Sequence, residues 1–266
     1  GQVAYNLKGI ATVTRQKYLT ASEKGPWANS YDRWRNDNLT NRYQGVQFGY
    51  TSAGRYTSWN DIWSYPGYKE RDILPGDYKY EDWNGDGEIN GQDEHPFALD
   101  QTPWLQFSLN AGLQWKNFDF NMLLQGSALG SMEYKEPLHE IWGKNGGGAL
   151  TQFLDRWHPV DPKADPYDPS TVWTSGHYAY TGRWAKNNSA FNRVSTAYLR
   201  LKSIELGYTF PKLKQIPNAS LRIYANAYNL LTFTGVKFVD PEHPDDDLGR
   251  MYPLNKTYTL GVSLSF

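Results

Sequence analysis

The chain has 266 residues, with 27 basic against 28 acidic side chains, a formal net charge of -1, and 11 Trp, 20 Tyr and 11 Phe. Its mean hydropathy is -0.71, and no apolar run approaches the roughly 18 to 20 residues of a spanning helix. A helical membrane protein is excluded, a strand-spanning one is not, the balanced charge argues against a nucleic-acid partner, and zero cysteines remove disulfides and thiol chemistry.

The first residues, GQVAYNLKG, carry no basic region followed by an apolar stretch and read as neither a signal nor a transit peptide. Residues 3–14 alternate, with Val3, Tyr5 and Leu7 in phase, and predict a first strand. A long connection over 15–103 follows. Within it, TSWNDIW places Trp59 and Trp63 beside tyrosines that include Tyr56. Flat aromatic faces stack on sugar rings, so these three are candidate substrate contacts, the alternative being that a large loop uses aromatics to build its own small core.

The same connection holds the sharpest local motif, 82–93, DWNGDGEINGQD. Oxygen-bearing side chains at Asp82, Asn84, Asp86, Asn90 and Asp93, a glycine at the sixth position and the backbone carbonyl of Glu88 at the seventh reproduce a calcium-loop spacing. Asp rather than Glu at the twelfth position and the lack of flanking helical patterns count against it. The competing reading is a turn held by Asx-type side-chain bonds.

Residues 104–115 give a second strand, in which Leu105, Phe107, Leu109, Ala111, Leu113 and Trp115 alternate with polar residues and Gly112. A Lys116-Asn117 turn leads into a third strand at 118–126, so the pair reads as a hairpin. The connection over 127–193 includes GALTQFLDRW, read as a short helix in which Trp157 serves loop packing. Strands at 197–210 and 220–230, a connection over 231–254 and a last strand at 256–266 complete the series.

Nine tryptophans fall in the three long connections: Trp27, Trp34, Trp59, Trp63, Trp83, Trp142, Trp157, Trp173 and Trp184. The acidic, proline-spaced stretches at 161–169 and 240–247 read as exposed, solvated loop segments. The five histidines show no pair at ligand spacing on one element, and no nucleophile motif or phosphate loop appears.

The predicted fold is all-β: six antiparallel strands with long and short connections in strict alternation, so that all long ones lie at one end. Structureless connections above roughly 12 to 15 residues are rare in compact soluble domains but routine in membrane barrels. Aromatics gather at the short-turn end as one girdle, formed by Trp115, Phe118, Tyr208, Phe210 and the terminal Phe266. Six strands are fewer than the roughly eight of the smallest membrane barrels, so the expectation is a segment of a larger barrel wall facing the lipid bilayer.

Five stretches carry a specific resemblance: PGDYKYEDWNGDGEINGQD at 75–93, DRWHP at 155–159, AYLRLKSIELGYTFP at 197–211, LRIYANAYNLLTFTGVKFVDPE at 221–242 and YPLNKTYTLGVSLSF at 252–266. In that order and spacing they resemble the C-terminal end of the SusC/RagA family of TonB-dependent outer-membrane transporters. The resemblance implies a barrel of about 22 strands with a plug domain in its lumen. It also implies import of large nutrients, mainly glycans and in some members peptides, driven by TonB through the plug and covered by a SusD-like surface lipoprotein. Neither plug nor TonB-contacting segment is found in residues 1–266, so the remaining strands and the plug are expected elsewhere, in a Bacteroidetes-type outer membrane. Such a wall segment would be no enzyme. Two rival readings are a soluble secreted carbohydrate-binding β module with a calcium loop, and a glycoside hydrolase with two carboxylates across a cleft.

Overall fold

The computed structural model describes residues 3–21, 40–66, 72–141, 148–182, 185–186, 188–211, 219–243 and 249–266. Six long strands form one antiparallel sheet: β1 (Val3–Val13), β2 (Leu105–Trp115), β3 (Phe118–Ala128), β4 (Tyr198–Phe210), β5 (Ser220–Thr234) and β6 (Thr257–Ser265). Their order in space is their order in the chain. The boundaries lie close to those expected from alternation, except that β5 continues past residue 230.

The hairpin between β2 and β3 closes tightly, with Trp115 paired to Phe118 across the two-residue turn. Lys116 takes φ 55°, the left-handed region that few side chains other than Asn and Gly adopt readily. Register then sorts the side chains by face. Asn110 sits opposite Lys8, Glu205 lies between Asn121 and Asn226, and Thr259 pairs with Asn226, which gives one polar face. Leu109, Leu206, Ile223 and Leu260 share the other.

A break in phase within β4 was visible in its sequence but unexplained by period two alone. Leu199 and Leu201 are apolar at odd positions, whereas Ile204, Leu206 and Tyr208 are apolar at even ones. The ladder to β3 shifts between Leu201 and Ser203, so Lys202 is an extra residue in the strand. This bulge returns both halves of β4 to the same apolar face and leaves Arg200 on the polar one.

The apolar face is bare. Leu7, Leu206 and Leu260 are 68%, 54% and 77% exposed. A water-soluble sheet would cover such a surface, because contiguous apolar patches of this extent are not left open in monomeric soluble proteins.

The buried clusters lie in the long connections instead. Tyr50, Tyr80 and Ile89 pack with Tyr78 and Phe191, and Ile141 packs with Phe153 and Tyr178. Among the described residues, four short two-stranded pairs stiffen these connections: 46–49 with 95–99, 52–55 with 78–80, 131–133 with 193–195, and 158–159 with 173–174. The Arg55 guanidinium ties the first connection to the second, donating to Gly76 O at 2.8 Å and to His177 O while lying 4.1 Å from the Tyr78 ring centre. The predicted helix in GALTQFLDRW is reduced to one 3-10 turn, Thr151–Leu154, because Asp155 leaves helical geometry at φ -81°, ψ 66°.

Candidate ligand-facing surfaces

The aromatic candidates of the first connection separate in the structure. Trp59 and Trp63 lie one turn apart on helix α1 (Trp59–Ser64), with ring centroids 6.0 Å apart. Ser58 starts this helix by accepting from Asp61 N at 3.2 Å. Trp63 is 68% exposed and free to stack on a ligand. Tyr56 is 2% exposed, with its ring edge-on to Tyr65 and its hydroxyl donating to Pro66 O at 3.2 Å. Burial, reinforced by Tyr65, pushes its phenol up to about 12, so it stays a neutral donor inside the loop and presents no face to a ligand.

Other loop tryptophans also serve packing. The Trp157 ring fills the space where a side chain on Gly76 would lie, which is one reason that position is glycine at φ +91°. Trp173 meets Tyr180 edge to face at 5.3 Å, and Trp83 stacks on His95 at 4.9 Å. Trp27, Trp34, Trp142 and Trp184 lie outside the described residues.

The 82–93 turn is held by its own carboxylates. Asp82 accepts from Gly85 N and Gly87 N, each at 2.8 Å, and Asp86 accepts from Glu88 N at 2.8 Å. Asn84 Oδ1 accepts from Asp86 N at 3.0 Å. Asp93, fully buried, accepts from Trp83 N at 3.0 Å and Asn90 N at 2.7 Å, while Asn90 accepts from Gln92 N. These are the Asx-type bonds of the competing reading. Among the described residues no three His, Asp or Glu side chains converge as a metal site.

At the short-turn end the predicted girdle residues form a continuous row. Trp115 and Phe118 stack at 6.3 Å, Phe118 meets Tyr208 at 4.7 Å, and Tyr208 meets Phe210 at 4.7 Å. Phe266, 95% exposed, projects by itself.

The polar face carries two charge clusters that period-two reasoning did not find. Near the short turns, Arg222 of β5 bonds both Asp119 of β3 and Glu205 of β4, the latter at 2.6 Å. Near the long connections, Arg200, only 1% exposed, grips Asp240 at 2.5 Å and Glu242 at 2.6 Å while its Nε donates to Thr232. At its described residues, 240–243, this stretch thus departs from the expected solvated loop: a buried cation on the sheet draws Asp240 and Glu242 toward it, while 244–247 lie outside the described residues. The alternation of β4 did signal an arginine on a polar face, but nothing local named its partners 40 residues on. By contrast, in 161–169 Asp161 and Asp165 cap backbone amides in exposed turns, as a solvated segment should.

No family model matches the sequence. The chain is 28% identical over 211 residues to TonB-dependent receptor P3 of Formosa agariphila, covering 73% of this chain and 19% of that protein. It is 26% identical over 239 residues to TonB-dependent receptor P26 of the same organism, covering 84% and 22%. It is 25% identical over 210 residues to TonB-dependent receptor SusC of Bacteroides thetaiotaomicron, covering 78% and 19%. The chain thus spans about a fifth of the length of the curated relatives it matches.

Among solved structures, the RagAB peptide importer in its closed-closed state matches with a TM-score of 0.57 at 17% identity, over 98% of this chain and 27% of that one. A structure of the RagAB peptide transporter matches with a TM-score of 0.52 at 20% identity, over 83% and 22%. At these identities the likeness is one of fold, and it identifies the six-stranded sheet as an open segment of a barrel. These relatives are receptors and transporters, not enzymes. In sequence the chain is similar to TonB-dependent receptors, SusC among them, and in fold to a segment of the RagAB barrel, so it resembles the SusC/RagA family of TonB-dependent transporters.

Proposed function

We propose that the chain forms part of the wall and the outer loops of a TonB-dependent outer-membrane transporter that imports large nutrients. The observation that carries this reading is the sheet with its faces inverted for water: the apolar face is open, while the polar face carries ion pairs and, at Arg200, takes Asp240 and Glu242 of a long connection. In a bilayer the open face meets lipid, and closure with further strands satisfies the free edges of β1 and β6, which would otherwise leave unpaired backbone groups in hydrocarbon. The family's place in the outer membrane of Bacteroidetes supports the location.

On this reading the wall is passive and gating belongs to a plug domain coupled to TonB. A SusD-like lipoprotein lies over the three long connections as a lid. Glycans are the proposed cargo. Peptides are the second class, favoured by the peptide importers that share the fold. The test is uptake of labelled oligosaccharides and peptides by cells expressing the full-length protein, with and without a protonophore. Energised uptake of a large cargo is expected. A protein that is folded and monomeric without detergent would instead support the soluble carbohydrate-binding module.

A further inference from the structure

Beyond Val13 the chain of β1 runs on in extended form. Thr14 N donates to Trp104 O at 2.8 Å, and residues 16–18 pair with 42–44 through an antiparallel bridge between Lys17 and Tyr43. Arg15 and Lys17 thus carry on the phase of Tyr5, Leu7 and Val13, which belong to the apolar face. Arg15 stands twelve residues along from Val3, and Val3 pairs with Trp115 of the girdle row. At about 3.3 Å per residue and a strand tilt of about 40°, that is about 30 Å along the bilayer normal, just past an apolar band about 25 Å tall. Arg15, Lys17 and Trp104 therefore reach headgroup level at the end of the long connections, where the second girdle of a spanning wall belongs.

Four side chains gather there. Tyr43 and Trp104 have ring centroids 5.4 Å apart, the Arg15 guanidinium lies 5.0 Å from the Trp104 ring centre and 5.8 Å from that of Tyr43, and Lys17 Nζ lies 5.8 Å from the Tyr43 ring centre. None of the four lines the cavity that Thr12, Pro103 and Gln106 border on the polar face. A ring face attracts a cation but carries no net charge. Among the described residues neither Arg15 nor Lys17 has a carboxylate partner, whereas the polar-face cations Arg200 and Arg222 each hold two.

We propose that Arg15 and Lys17, with Tyr43 and Trp104, form a site for the phosphate of an anionic lipid in the outer leaflet. Two unneutralised cations beside aromatic rings, at the edge of a bare apolar surface, match an amphiphile whose acyl chains cover that surface and whose charged head sits just beyond it. The guanidinium engages phosphate through its planar fork and the ammonium as a point charge, while the rings occupy the boundary between tails and heads. Free phosphate would neutralise the cations but leave the apolar surface beside them bare, so the lipid is the better occupant. The site rests on the sheet being a membrane wall and is independent of the cargo.

The test is native mass spectrometry of the full-length protein, released from detergent after incubation with phosphatidylglycerol or phosphatidylcholine. Phosphatidylglycerol should be retained in preference. A cation near a charged lipid surface contributes about fivefold in affinity, so Arg15→Gln and Lys17→Gln should each weaken retention by about that factor and the double variant by about twenty-five-fold. Arg15→Lys should keep most of it, and Lys163→Gln, in an exposed turn of the second connection, should leave it unchanged. Unchanged heat-modifiability on gels shows that each variant still folds as a barrel. Equal retention of the two lipids, or phosphatidylglycerol retention that ignores the double variant, would overturn the site. Displacement of the lipid by millimolar inorganic phosphate would overturn the lipid as its occupant. A protein folded and monomeric without detergent removes the membrane wall itself; a heat-modifiable barrel indifferent to Arg15 and Lys17 removes the lipid site alone.

Discussion

Arg222 on β5 and Asp119 on β3 join across the strand that separates them, passing directly over Gly207 of β4. A Cβ at Gly207 would lie 2.5 Å from Arg222 Nη2 and 2.6 Å from Asp119 Oδ1, so the glycine is what lets the two charges meet. Neighbouring glycines are covered in the same manner. Asn6 lies over Gly112, the Phe107 ring over Gly126 and the Tyr224 ring over Gly261, each from the residue directly opposite in the ladder. Rings laid over facing glycines pin register where the strand itself has no side chain to pack.

Gly207→Ala should therefore push Arg222 and Asp119 apart. Both side chains remain partly exposed, at 28% and 19%, so solvent screening limits the loss to about 1–2 kcal/mol. Urea unfolding of the refolded full-length protein in detergent measures it. A double-mutant cycle of Arg222→Met with Asp119→Leu should show coupling when Gly207 is retained and little when the cycle is repeated in the Gly207→Ala background.

The bare face makes a sharper demand. Leu260 is 77% exposed, so in water Leu260→Arg would be close to neutral. Facing hydrocarbon, the same change should cost about 2–4 kcal/mol if the position is near the bilayer midplane. Thr259→Arg, one residue away on the polar face, should cost much less. Folding yields into lipid vesicles for the two variants separate the faces; equal effects would contradict the assigned orientation.

The second connection has a titrating weak point. His139 is 8% exposed, and burial, opposed only by the Lys135 backbone, lowers its pKa from 6.5 to about 4. It lies 3.6 Å from Glu140 Oε1, but desolvation outweighs that attraction and the ring is neutral at pH 7. Because the folded pKa is depressed, the unfolded loop binds the proton more readily. The stabilisation is complete above pH 6.5 and is lost as pH falls toward 4, by roughly 3 kcal/mol at the limit. Hydrogen exchange around residues 136–141, corrected for intrinsic rates, should show opening over that window, and His139→Phe should flatten the pH dependence.

The 82–93 turn supplies a test of the calcium expectation. Its carboxylates already accept backbone N–H bonds, so chelation should leave protease cleavage of this segment unchanged. Millimolar calcium that slows cleavage and raises the melting temperature would mean that the oxygens turn outward to ligate metal. In that case Asp86→Asn should abolish the effect.

The sequence by itself determined the strands, their two faces and the alternation of long with short connections. These are local consequences of period two: a residue's face depends on its neighbours two positions away, and a turn on the residues within it. The girdle row was legible for the same reason, since its members sit at predictable strand ends. The bulge at Lys202 left a phase break in the sequence, but only the pairing with β3 showed which residue was extra. Tertiary structure alone decided that Tyr56 is packed inside the loop rather than offered to a ligand, and that Asp82, Asp86 and Asp93 turn to backbone amides. It alone brought Asp240 and Glu242 to Arg200, and Asp119 to Arg222 across 103 residues of chain. Contacts of that range depend on register between strands and on how long connections fold back over the polar face, and no window of neighbouring residues contains either.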